Sequence, residues 1–254
     1  MIPPHIKLKE GQKVYFASDF HLGIPDKETS SKREKKIVQW LCSIENDAAA
    51  IFLVGDIFDF WFEYRHTIPK GFIRLQGKLA DLSDKGIPLY MFTGNHDMWM
   101  FDYFEKELDI PIIRKPVQTT INEKKFFIGH GDGLGPGDYF YKFLKQIFAN
   151  KFFQRLFAFV HPGIGIGIAH AWSKKSRDKH YKADEEFLGD KEWLFQFCKK
   201  TEKKEHHDFY IFGHRHLSLN MEVSHNSRYI NLGEWLNNSN YAVFDGEDIK
   251  IERF

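Results

Sequence analysis

The chain has 254 residues, 43% of them hydrophobic, and a formal net charge of +1 at pH 7. That size and apolar content suit one large domain or one domain with an insertion, and near-neutrality argues against a general electrostatic attraction to nucleic acid or to membranes. The two cysteines, Cys42 and Cys198, lie far apart, which argues against a disulfide framework or a cysteine zinc site and fits a reducing compartment.

In chain order, Met1–Gly11 has no apolar core of the kind a signal peptide needs, so a cytoplasmic protein is expected. Lys13–Ser18 reads as a strand ending at Asp19-Phe20-His21. Ser31–Asn46 carries Ile37, Trp40, Leu41 and Ile44 at helical spacing. Ala49–Val54 is a second strand, running into Gly55-Asp56. Ile73–Lys85 is a second helix, with Leu75, Leu79 and Leu82 on one face. Ile87–Thr93 is a third strand, followed by Gly94-Asn95-His96-Asp97, and Lys125–Ile128 a fourth, followed by Gly129-His130-Gly131-Asp132. Phe209–Phe212 precedes Gly213-His214-Arg215-His216, and Arg228–Asn231 and Tyr241–Asp245 are closing strands. Alternating strands and helices predict an α/β fold, in which functional groups gather beyond the carboxyl ends of strands.

The segment from about 135 to 182 interrupts this series and reads as a helical insertion. It holds a dense set of aromatic and aliphatic residues, among them Phe143, Phe148, Phe152 and Phe157. Its basic residues include Lys142, Lys145, Lys151, Arg155 and Arg177, against the acids Asp138 and Asp178. Such a segment suggests a lid over an anionic, lipid-bearing ligand; the plainer alternative is a helical hairpin packed on the core with a solvated basic face. The nearest approach to a membrane span, 156–171, is broken by His161, Pro162 and glycines.

The strand-end residues form a candidate metal constellation. Asp and His suit divalent manganese, iron or zinc. Asp19-x-His21 and His214-x-His216 each put two side chains on one side of an extended segment. Asp56 can use both carboxylate oxygens and so bridge two ions, and Asn95 offers a neutral carbonyl oxygen. Two such ions clamp phosphoryl oxygens and activate water. Each residue alone has an ordinary reading as a turn, cap or surface group; the ordered set does not.

Together the five blocks, spanning Asp19 to His216, resemble the calcineurin-like metallophosphoesterases, a family with a β-sandwich flanked by helices. The resemblance implies one metal held by Asp19, His21, Asp56 and His216 and another by Asp56, Asn95, His130 and His214, with manganese the expected ion. It also implies that His96 stabilises the transition state or protonates the leaving group, oriented by Asp97. A narrower similarity is to the UDP-2,3-diacylglucosamine pyrophosphatases of lipid A biosynthesis. It rests on Gly55-Asp56-Ile57-Phe58-Asp59, on His130-Gly131-Asp132-Gly133-Leu134 followed by Asp138-x-x-Tyr141, and on the aromatic, basic insertion ending in Ser173-Lys174. That similarity implies a nucleotide-linked glycolipid substrate, cleaved to lipid X and UMP, with Asp138, Tyr141, Ser173 and Arg177 as substrate contacts. It also implies peripheral association with the inner-membrane surface. The chain departs from that group's familiar pattern at His96, where the group has arginine, and at Arg177 and His180, where it has Asn and Lys. The alternatives are a phosphodiesterase for another nucleotide or phosphodiester, and a catalytically silent binding protein on the same fold. A nuclease is disfavoured, because the basic residues sit among apolar ones on one insertion, not along an open groove.

Overall fold

The structure, a computed structural model, describes residues 5–137, 139–168, 171 and 186–254. One sheet comprises β1 (Lys13–Ala17), β2 (Ala48–Val54), β3 (Leu89–Phe92), β4 (Ile112–Ile113), β10 (Asn240–Phe244) and β11 (Ile249–Arg253), in the order β11-β10-β1-β2-β3-β4. Its strands β1 to β4 run parallel. The second sheet comprises β5 (Val117–Ile121), β6 (Lys124–Ile128), β7 (Phe209–Phe212), β8 (Ser218–Ser224) and β9 (Ser227–Leu232), ordered β5-β6-β7-β9-β8, with β6, β7 and β9 parallel. The helices are α1 (Lys27–Ile44), α2 (Ile73–Asp84), α3 (Tyr103–Leu108), α4 (Tyr139–Ala149), α5 (Lys151–Ala158), α6 (162–168) and α7 (Trp193–Glu202).

The apolar runs are continuous in the central strands because both faces of each are covered. Val14 and Phe16 of β1 point between the sheets, where Phe16 stacks on Phe52 of β2 at 5.1 Å and on Phe126 of β6 at 5.9 Å. Tyr15 and Ala17 point the other way, into a layer filled by Ile37, Trp40 and Leu41 of α1 and Leu75 and Leu79 of α2. On the outer face of the second sheet, Leu194, Phe195 and Cys198 of α7 cover Tyr210, Phe212 and Tyr229. The result is four layers, helix–sheet–sheet–helix, the sandwich flanked by helices that the resemblance implies. Helix α1 starts earlier than its apolar spacing suggests, because the Asp26 carboxylate accepts the Thr29 amide at 2.9 Å and caps the helix.

The insertion leaves the body after β6. Neither α4 nor α5 has a buried residue. Its aromatic side chains divide into two sets. Phe148 and Phe157 rest on the body: Phe157 lies 4.9 Å from both Phe62 and Trp99, and the Trp99 indole donates to the Phe148 carbonyl at 2.8 Å. Phe143 and Phe152 stay exposed, as do Phe140 and Phe159. Ring packing thus takes Phe148 and Phe157 for anchoring, which separates them from the exposed pair that could meet a ligand.

Trp99→Ala removes both the ring contact and the indole donor beneath the insertion. Limited proteolysis should cut within α4 or α5 about tenfold faster than in the parent protein. An unchanged cutting rate would show that the insertion is held elsewhere.

Candidate metal centre

The parallel strands of both sheets direct their carboxyl ends to one edge of the sandwich. There β1 delivers Asp19 and His21, β2 delivers Asp56, β3 delivers Asn95 and His96, β6 delivers His130, and β7 delivers His214 and His216. The backbone at Asp19, His21, Asp56, His214 and His216 is left-handed, with φ between 43° and 70°. Side chains other than glycine rarely adopt this conformation, and it persists only where surrounding contacts impose it. The paired side chains therefore do not converge by alternation along an extended segment, as the sequence suggests. They converge because each residue sits in a tight turn just past its strand.

Those turns are held from several sides. Asp19 N donates to Gly55 O at 3.0 Å and His21 N to Asp56 O at 2.9 Å, joining the β1 and β2 loops. The buried Arg33 guanidinium reaches from α1 to the carbonyls of His21 and Ile24, each at 2.6 Å. On the β7 loop, Arg215 forms a fully buried pair with Glu192, at 2.8 Å and 2.9 Å. This fixes the residue between His214 and His216 against the start of α7. Two glycines permit close approach: a side chain at Gly94 would strike the Asp56 carboxylate, and one at Gly213 would strike that of Asp19.

The polar atoms gather in two adjoining groups. In the first, Asp19 Oδ1 is 3.3 Å from His216 Nε2 and 3.7 Å from His21 Nε2, and the two Nε2 atoms are 3.1 Å apart. In the second, Asp56, His130 and His214 bring their ligand atoms within 4.8 Å of one another. Asn95 Oδ1 lies 3.2 Å from His130 Nε2. Asp56 Oδ2 stands between the groups, 3.2 Å from His130 Nε2 and 3.8 Å from His21 Nε2. Every residue expected as a ligand thus reaches one place.

The electrostatics fit a cation. Burial opposes charge on Asp19 and Asp56, yet the surrounding imidazoles hold both below the usual carboxylate range. Burial likewise lowers His21 and His130, but neighbouring carboxylates outweigh it and carry each up to about 10. His214, buried beside His130, falls to about 4. Protons on imidazoles thus balance the buried acids, and a divalent ion would displace those protons and take the same lone pairs. His130 Nδ1 is 2.9 Å from the Val54 carbonyl, which assigns its proton there and leaves Nε2 facing the group.

His96 lies beside both groups, its ring 4.8 Å from that of His21 and its backbone N–H donating to Asp56 Oδ1 at 2.8 Å. Burial keeps its imidazole below its ordinary value. Its Nδ1 is 3.1 Å from the carbonyl of Asp59 and 3.5 Å from that residue's carboxylate. Asp97, expected to orient His96, instead turns both its oxygens to backbone amides: Gly94 at 2.7 Å, and Ile57 and Phe58 at 2.7 Å and 3.3 Å. Asp97 fastens the Asp56 turn to the Asn95 turn, and Asp59 is the carboxylate against the His96 ring. Asp59 stands in the Gly55–Asp59 block, but nothing in the sequence marks a role for it; only its distance from His96 reveals one.

Of the expected substrate contacts, Tyr141 donates to the buried Asp132 carboxylate at 2.6 Å, an acceptor it shares with Lys145. Asp132 thereby ties α4 to the turn that presents His130. Asp138, Ser173 and Arg177 lie outside the described residues.

A profile of the calcineurin-like phosphoesterase family matches residues 12–218. The chain is 37% identical over 253 residues to a protein of Porphyromonas gingivalis named UDP-2,3-diacylglucosamine hydrolase, covering 94% of this chain and 97% of that one. A protein of the same name from Haemophilus influenzae is 28% identical, covering 90% and 92%. Among solved structures, Vacuolar Protein Sorting 29 from Cryptosporidium parvum aligns at 12% identity and a TM-score of 0.45, covering 97% of this chain and 99% of that one.

Gly94→Ala forces the Asp56 carboxylate to move. Bound divalent metal, measured by elemental analysis after dialysis, should weaken about 10- to 100-fold in affinity, and metal-supported phosphodiester turnover should fall with it. Parental metal affinity in that variant would mean that Asp56 does not bind metal.

Proposed function

The chain belongs to the calcineurin-like phosphoesterase family and is a metal-dependent hydrolase; from that premise we propose that it hydrolyses the pyrophosphate bond of UDP-2,3-diacylglucosamine, giving lipid X and UMP. The observation that carries this reading is the near full-length match to relatives bearing that substrate in their name. An insertion with exposed Phe140, Phe143, Phe152 and Phe159 beside the candidate centre supports it. Burying acyl chains against such rings contributes about 0.8 kcal/mol per methylene.

Asp19, His21, Asp56 and His216 would hold one divalent ion, and Asp56, Asn95, His130 and His214 the other, with manganese the preferred ion. When bound, the pair would supply water activation and charge neutralisation at the phosphoryl group. The Asp56 carboxylate, which accepts the His96 amide at 2.8 Å and so is fixed in orientation, would be shared by the two ions. Asp59 holds the His96 ring through Nδ1, so Nε2 would donate to the developing charge in the protonated ring, the form that the Asp59 carboxylate favours. Asp97 keeps the turns in register. The exposed apolar rings and lysines of the insertion would let the protein rest on the cytoplasmic side of the inner membrane; among the described residues no helix is long and apolar enough to cross one.

The deciding assay offers UDP-2,3-diacylglucosamine, UDP-N-acetylglucosamine and bis-p-nitrophenyl phosphate to the manganese-loaded protein, with Asp56→Ala as control. The expected outcome is rapid, metal-dependent turnover of the acylated nucleotide, lost in the control. Turnover of bis-p-nitrophenyl phosphate without that of the acylated nucleotide would keep the metal chemistry and discard the lipid substrate. His96→Ala should retain metal and lower kcat about 10²- to 10⁴-fold, the usual range for a group acting in proton transfer or charge stabilisation.

A further inference from the structure

A cleft of about 320 Å³ lies between the β3 and β4 ends of the body and helices α4 and α5 of the insertion. It adjoins the candidate centre, because Gly94 and Asp132 both line it, the one preceding Asn95 and the other following His130 by two residues. Arg114, Lys145 and Lys151 converge on it against the single acid Asp132, so its lining carries an excess of positive charge.

The three basic groups are differently held. Arg114 follows the carboxyl end of β4, the parallel neighbour of β3, and so stands one strand away from Asn95 at the same edge. Its guanidinium donates to the carbonyls of Phe101 at 2.8 Å and Met98 at 3.4 Å, and lies 5.9 Å from the Phe101 ring centre. Among the described residues no carboxylate pairs with it. Lys145 is fixed by Asp132, at 2.6 Å from the carboxylate and 2.9 Å from the carbonyl. Lys151, in the first turn of α5, has no partner among the described residues. A guanidinium immobilised by neutral carbonyls keeps N–H donors free for an anion, and its planar fork matches two oxygens of a phosphate.

We propose that this cleft is the subsite for the nucleoside phosphate half of the substrate, with Arg114 and Lys151 holding the phosphate and Lys145 closing it from the α4 side. The inference rests on the nucleotide-linked reading above and assigns that substrate's polar half to a place. The cleft's three cations suit the phosphate, and the exposed rings of the insertion remain for the acyl chains. Phe101 and Met98 in its wall offer apolar faces to a base.

The test is calorimetric titration of the manganese-loaded full chain with UMP, and with uridine as the uncharged control, in the parent and in the Arg114→Gln/Lys151→Gln variant. The subsite predicts at least tenfold weaker UMP binding in the variant, about 1.4 kcal/mol. Uridine binding should change little, and the salt dependence of UMP binding should become shallower. UMP affinity within twofold of the parent would overturn the proposal, since the metals alone would then hold the phosphate. Equal losses for UMP and uridine, or no UMP binding by the parent, would overturn it too. Should the double variant fail to fold, Lys151→Gln alone alters an exposed side chain and should weaken UMP about threefold or more; no change would count against the subsite. Neither UMP nor uridine carries acyl chains, so the outcome is independent of the lipid assignment. Intact UMP binding with no hydrolysis of the acylated nucleotide would sink that assignment and leave the subsite standing.

Discussion

The arrangement turns on the Asp56 carboxylate. One oxygen is fixed by the His96 amide, and the other faces His130 on one side and His21 on the other. That placement needs the missing side chain at Gly94, the left-handed turn at Asp56 and the amide bonds that Asp97 makes across the gap. An unpaired carboxylate at such depth is costly, so the surrounding imidazoles are part of what keeps this edge folded.

Two sheets are needed because no single one supplies enough strand ends. The first brings Asp19, His21, Asp56, Asn95 and His96; the second brings His130, His214 and His216. Stacked rings such as Phe16 on Phe126 set the spacing between the sheets, and therefore the distance between the two halves of the centre. A change in that packing acts on the site without touching any of its polar atoms. Arg33 and the Arg215–Glu192 pair do the same work from the helical layers, clamping strained turns that their own sequences would not hold.

The insertion divides its apolar residues by task. Phe148 and Phe157 meet Trp99 and Phe62 and hold the helices to the body, while Phe140, Phe143, Phe152 and Phe159 remain open. Its lysines divide likewise. Lys145 and Lys151 face the cleft beside the centre, and Lys142 is spent on the Gly135 carbonyl at 2.6 Å, bracing the start of α4.

The sequence by itself determined the α/β class, the central strands and the group of residues that meets at their ends. Central strands are buried on both faces and read as unbroken apolar runs, and each run stops at a polar cluster. The strands that the sequence left out, β4, β5, β8 and β11, are the sheet edges. With a partner on one side only, β5 and β8 tolerate polar residues such as Gln118, Thr120, Asn220 and Glu222 and the periodic signal fades, while β4 is only Ile112–Ile113, too short to show a period. Tertiary structure alone decided how the ligands converge, because the left-handed turns at Asp19, His21, Asp56, His214 and His216 are imposed by contacts distant in sequence. It also decided that Asp59 and not Asp97 stands against His96, that Phe148 and Phe157 serve as anchors, and that Arg114 comes to face Lys145 and Lys151 across a cleft. None of these is a local property: each depends on which strand ends and helices the packed core brings within a few ångströms of one another.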